Sequence, residues 1–162
     1  MTELANTVAS EFASRFESVA AKLHKWVDPL SNEQFWRNPY SYGNSVGHLI
    51  LHLTGNLNYY IGAQIAGSGY VRDRDREFTE AARPLKDDVL RNFDSAIHLV
   101  VETVRKQPAE SWSAAYSAER SKEQNRFAIV LSCAAHADHH VGQIIYLTKE
   151  LTREAGFQAA SR

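Results

Sequence analysis

Residues 44–61 read Asn44-Ser45-Val46-Gly47-His48-Leu49-Ile50-Leu51-His52-Leu53-Thr54-Gly55-Asn56-Leu57-Asn58-Tyr59-Tyr60-Ile61. Val46, Leu49, Ile50, Leu53, Leu57, Tyr60 and Ile61 recur every three or four residues, the period of a helix with one buried face. Asn44 or Ser45 after Gly43 offers an N-cap oxygen, and Gly67 and Gly69 mark where the helix stops. Two histidines, His48 and His52, interrupt this apolar segment one turn apart. An imidazole is costly to bury without a partner, so the same helix also says where chemistry is to be sought.

Three further segments share the helical period. The first runs from Leu4 to Val27, with Val8, Phe12, Phe16, Val19, Leu23 and Trp26 on one face and Pro29 just beyond its end. The third opens at Pro84 with Asp87 and Asp88 in its first turn, repeats Val89, Phe93, Ile97, Val100 and Val104, and ends before Pro108. The fourth spans Lys122 to Leu151, with Phe127, Val130, Leu131, Ala134, Val141, Ile144, Ile145 and Leu151 as packing positions. Its Gly142 costs about 1 kcal/mol against alanine inside a helix, which points to a close approach by a neighbouring element. Strand-type alternation is absent throughout. The expectation is an all-α chain, a four-helix bundle forming a single domain over residues 1–162. A short extra helix or loop at Ser31–Tyr42 covers one end, between helices one and two. The segment Tyr70–Phe78, Tyr-Val-Arg-Asp-Arg-Asp-Arg-Glu-Phe, alternates in charge and reads as a solvated loop paired with itself.

Composition excludes several functions. The chain has 162 residues, 44% of them apolar, enough for one core without disulfides. Eighteen Lys and Arg against nineteen Asp and Glu give a net charge of −1, which leaves no positive field for a nucleic acid or an anionic membrane. The most apolar stretch, around residues 46–66, carries two His, two Asn and a Gln and fails as a membrane span. The N-terminal MTELANTVASEF lacks a signal layout, and a single cysteine cannot form an internal disulfide, so a cytoplasmic location is expected.

Seven histidines are the compositional oddity. Random placement would give about 0.3 pairs spaced four apart, by the logic of periodicity templates. This chain has two, His48 with His52 and His136 with His140. A pair at i, i+4 projects both rings from one helix face and can chelate a metal. A third ring from a facing helix completes a site that keeps a coordination position open, the style of a catalytic metal centre. The four histidines, and any three of them, are competing ligand sets. His139 could replace a neighbour, although adjacent residues point about 100° apart on a helix. His24 and His98 lack a partner at helical spacing and read as surface or satisfied core residues. Imidazole donors disfavour calcium and admit nickel, zinc, iron or copper. Asn56 and Gln143, one turn from His52 and three residues from His140, can reach the same pocket as hydrogen-bonding supports. Cys133 reads as a small buried packing residue.

The stretches Ser45-Val46-Gly47-His48-Leu49-Ile50-Leu51-His52-Leu53-Thr54-Gly55-Asn56 and His136-Ala137-Asp138-His139-His140-Val141-Gly142-Gln143-Ile144-Ile145-Tyr146-Leu147 resemble the DinB/YfiT-like superfamily of metal-binding four-helix bundles. That group is distinct from the DNA polymerase of similar name. Arg74-Asp75-Arg76-Glu77-Phe78 resembles one branch of it in particular. The resemblance implies one metal ligand from helix two and two from helix four, at His52, His136 and His140. It leaves His48 and His139 as pocket neighbours. It further implies a divalent transition metal, zinc or nickel, a homodimer, and a transferase in which a low-molecular-weight thiol attacks a small electrophilic substrate as a metal-bound thiolate. A metal-dependent hydrolase with His48 or His139 as base, and a non-catalytic bundle with a structural metal, are the rival expectations.

Overall fold

The computed structural model describes residues 3–160, with side chains through residue 153. Four long helices carry the fold: α1 (Glu3–Val27), α3 (Val46–Leu57), α5 (Lys86–Arg105) and α6 (Arg126–Ala160). Two short helices, α2 (Asn32–Trp36) and α4 (Arg76–Thr79), lie in the connections. Both α1 and α3 pack against α5 and α6, so α1 stands diagonally opposite α3. The core is the sum of their inner faces, with Phe16, Leu23, Ile50, Leu53, Phe93 and Ile144 among the fully buried side chains. All-α architecture follows, and no strand is present among the described residues.

The segment 31–42 starts as a capped helical turn. Ser31 Oγ accepts from the Gln34 amide at 3.2 Å and Gln34 Oε1 accepts from the Ser31 amide at 3.0 Å, a reciprocal cap. This short α2 drives Phe35 and Trp36 into the core, where the Trp36 indole N–H donates to the Pro84 carbonyl at 2.9 Å. Gly47 makes the contact close, because a Cβ there would lie 2.6 Å from the Trp36 ring.

Several boundaries and faces differ from the sequence reading. Helix six begins at Arg126, not Lys122, because Asn125 caps it: its Oδ1 accepts from the Ala128 amide at 2.9 Å. The preceding residues are not helical, with a turn at 119–120 and an isolated bridge between Ala115 and Asn125. Helix five begins at Lys86, since Pro84 spends its carbonyl on Trp36. Phe127 and Leu131, expected in the core, are exposed, and Ile129, Cys133, Ala137 and Leu147 take the buried face with Val130, Ala134 and Val141. The close approach expected at Gly142 is absent, with nothing within 4 Å of the place its Cβ would occupy. Helix three does not run on unchanged: it widens into a π-helical turn over Asn58–Ala63, whose Tyr60 carbonyl accepts the Tyr116 hydroxyl at 3.0 Å.

His24 ties α1 to α5, with Nδ1 2.9 Å from Asp28 and Nε2 2.8 Å from Asp94. Burial opposes its charge, but the two carboxylates outweigh burial and raise its pKa above 6.5. The folded chain therefore holds this proton more tightly than the unfolded one. The resulting stability is present below pH 6.5 and is lost as pH rises through the raised folded value. In urea titrations, His24→Gln is expected to flatten the decline of the midpoint across that window and leave the rest of the profile unchanged.

Candidate metal centre

Helices α3 and α6 bring His52, His136 and His140 together, each offering one ring nitrogen with all three within 4.8 Å of one another. This is the one such group of three found among the described residues. His52 Nε2 lies 3.0 Å from His136 Nε2, and the His136 and His140 ring centroids are 4.4 Å apart. Tetrahedral zinc with bonds of about 2.0–2.1 Å places its nitrogens about 3.3 Å apart, so small ring rotations suffice to seat an ion.

The remaining ring nitrogens are fixed by partners. His52 Nδ1 donates to Glu77 Oε2 at 2.8 Å, and His140 Nδ1 donates to Gln143 Oε1 at 2.7 Å. Each bond holds a proton on Nδ1 and leaves the Nε2 lone pair for the cluster. Arg72 Nη2 also stands 3.3 Å from His52 Nδ1, but a guanidinium cannot accept, so the carboxylate governs the tautomer. With the His52 proton on Nδ1, His136 Nε2–H donates to His52 Nε2, and His136 would have to carry its hydrogen on Nδ1 to offer Nε2 to an ion. Burial, aided by the neighbouring His140 and His52 rings, lowers the His136 pKa to about 4. Burial lowers that of His140 as well. Neutral imidazoles are what a metal requires.

Glu77 is where the structure overturns the sequence reading most sharply. The segment Tyr70–Phe78 does pair with itself, but the pair is not solvated. Arg72 and Glu77 turn inward, 9% and 6% exposed, with Nε donating to Oε1 at 2.6 Å and Nη2 to Oε2 at 2.8 Å. Burial alone would raise the Glu77 pKa, but the bonds from Arg72 and His52 dominate and hold the carboxyl below its usual range. The pair reaches its place because Gly55 leaves room: a Cβ there would stand 2.0 Å from Glu77 Oε1. Phe78 then covers the His52 ring at 4.7 Å between centroids. The sequence signal that could have found Glu77 is the adjacent Glu77-Phe78 pair, a carboxylate beside a large apolar residue that must be buried.

The other residues singled out by sequence divide in two. Asn56 lies on the His52 face of α3, buried, with Oδ1 unpartnered. His139 is exposed on α6, its ring 5.2 Å from that of His140. His48 does not enter the three-ring cluster. Its Nδ1 pairs with the Ser45 hydroxyl at 2.8 Å, its ring packs edge-on against Trp36 at 5.3 Å, and it lines a separate cavity shared with Phe78 and Arg83. Cys133 is buried beside His136, and burial raises its thiol pKa to about 12, so it is an un-ionised packing residue.

The family described as a protein of unknown function, DUF1572, matches this chain over residues 3–161. The fold is similar to that of a DinB-like protein from Bacillus cereus, with a TM-score of 0.65 over 90% of this chain and 91% of that one. The two share 13% sequence identity, so the likeness speaks for the fold alone. None of the curated proteins matches in sequence. No helix among the described residues is long and apolar enough to cross a membrane.

Proposed function

The chain belongs to the DUF1572 family, with the DinB-like fold, and on that premise we propose that it is a metal-dependent transferase whose nucleophile is a small-molecule thiol. The observation that carries this reading is the charge balance around the three imidazoles. Glu77, the carboxylate nearest to them, is already neutralised by Arg72 through two hydrogen bonds. A divalent ion held by His52, His136 and His140 therefore brings its charge into a half-buried site with no protein anion to balance it, and an anionic exchangeable ligand is favoured. Zinc or nickel suits three imidazoles, and either would supply Lewis acidity that lowers the pKa of a bound thiol.

The chain's own groups set the rest. Glu77 and Gln143 orient two of the rings, and Phe78 shields one side of the cluster from water. The single cysteine stays protonated at neutral pH, so the attacking sulfur comes from outside the chain. Hydrolysis is less well served, because Glu77 is locked to Arg72 and His48 stands outside the cluster, which leaves exposed His139 as the general base.

Elemental analysis of the untagged protein tests the reading. About one transition metal per chain is expected, lost in both His52→Ala and His136→Ala, with thiol-dependent turnover of electrophiles lost alongside it. Absence of metal even after reconstitution would leave a non-catalytic bundle. Bound metal without turnover on any common low-molecular-weight thiol would leave a structural site.

A further inference from the structure

One turn beyond the histidine cluster along both helices, a cavity of about 260 Å³ opens from His136 and is walled by Asn56, Tyr60, Ser132, Arg120 and Lys122. Its inner end presents a specific demand. Asn56 is 8% exposed, and its buried Oδ1 has no hydrogen-bond partner. It sits four residues after His52 on the same face of α3, so a group beside the cluster that carries an N–H would satisfy it.

The outer end presents the opposite chemistry. Arg120 adopts a left-handed backbone, φ 64°, a conformation uncommon outside glycine and concentrated at ligand clamps. Its nearest carboxylate is that of exposed Glu119, at 3.7 Å. Lys122 adds a second exposed cation. Glu123 is the carboxylate in this wall, and it is engaged by the Ser121 hydroxyl at 2.7 Å and the Lys122 amide at 3.1 Å. Within this wall Arg120 and Lys122 stand against Glu123, with Glu119 outside it beside Arg120, and both cations keep N–H donors for an incoming anion. A second cavity, of about 510 Å³, shares Tyr60 and Arg120 with the first and adds Tyr59 and Tyr70, which gives room for a larger substituent. The π-helical turn is what puts Tyr59 and Tyr60 in this region.

We propose that this cavity is the subsite for the non-reacting end of the thiol, and that it selects a thiol carrying an amide N–H for Asn56 Oδ1 and a carboxylate for Arg120 and Lys122, as in an N-acylated cysteine. The inference rests on the thiolate reading of the metal centre.

Cobalt-loaded protein tests it through the thiolate-to-cobalt charge-transfer absorption, which needs no turnover. N-acetylcysteine is expected to bind about tenfold more tightly than N-acetylcysteamine, the same skeleton without the carboxylate, as charge-assisted bonds to two partly exposed cations would give. In Arg120→Gln with Lys122→Gln the two affinities should converge, with that of N-acetylcysteamine unchanged. Equal affinities in the unaltered protein would overturn the subsite while leaving the thiolate reading standing. A preference that survives in the double variant would assign it to chelation of the metal by the carboxylate and would also overturn the subsite. No charge-transfer band with either thiol would sink the thiolate reading and the subsite with it.

Discussion

Glu77→Ala is expected to lower the unfolding free energy by about 3–5 kcal/mol, the usual result of removing one partner of a buried ion pair. The argument turns on Arg72. Its side chain is 9% exposed and both its Nε and Nη2 are committed to Glu77, so truncation strands a guanidinium that cannot shed its charge. The same change removes the acceptor that keeps the proton on His52 Nδ1. Loss of such an outer partner lowers metal affinity by about 10–100-fold. The two effects are separable. Arg72→Met with Glu77→Gln removes both charges at similar volume, and replacement of a whole buried pair is close to neutral for folding. Its metal affinity should nevertheless stay about tenfold low, because a neutral amide accepts a weaker bond from His52 than a carboxylate does. Urea titration reads the first quantity, and competition with a chromophoric zinc chelator reads the second. A loss of under about 1 kcal/mol in Glu77→Ala would be that of a solvated pair and would contradict its burial.

The difference between the histidines and Glu77 shows what a sequence exposes. Spacing of one helical turn on an apolar face brought forward His48, His52, His136 and His140 without deciding among them, and only the resemblance to the DinB/YfiT-like superfamily singled out the three that cluster. Helix periodicity also placed α1, α3 and α5 with few errors, since their apolar residues have one face to bury. Helix α6 was harder. It is flanked on both sides of its stripe by apolar residues, and only tertiary packing decides that Ile129 and Cys133 turn inward beside Asn56 and Tyr60 while Phe127 and Leu131 remain exposed beside α1. Glu77 was illegible for a different reason. It reaches His52 from 25 residues away through a segment with no period, and its partner Arg72 is indistinguishable in sequence from Arg74 and Arg76, which face outward. The π-helical turn at Asn58–Ala63 has no periodic signature either, because its apolar positions still fit an ordinary helix.

Glycine gives the sharpest contrast of this kind, and a paired prediction. Gly55 and Gly142 both sit inside long helices, where alanine is intrinsically better by about 1 kcal/mol. At Gly142 nothing lies within 4 Å of the new methyl group, so Gly142→Ala is expected to gain about that 1 kcal/mol. At Gly55 the methyl group would meet Glu77 Oε1 at 2.0 Å. A carboxylate at the end of a free side chain would swing away at little cost, but this one is held by Arg72 and His52 at 2.6–2.8 Å. To clear the methyl group it must retreat by more than the length those bonds can stretch. Gly55→Ala is therefore expected to destabilise by about 3 kcal/mol, at the upper end of overpacking costs, and to reproduce the loss of metal affinity expected on removing Glu77 itself. The diagnostic comparison is with Arg72→Met, Glu77→Gln as background. With the clamp already released, the added methyl group should cost much less there than in the native chain, a non-additivity that marks two sites in direct contact. Full additivity would mean that Gly55 and Glu77 do not constrain each other, and the close approach that sets His52 would have to be attributed to some other contact.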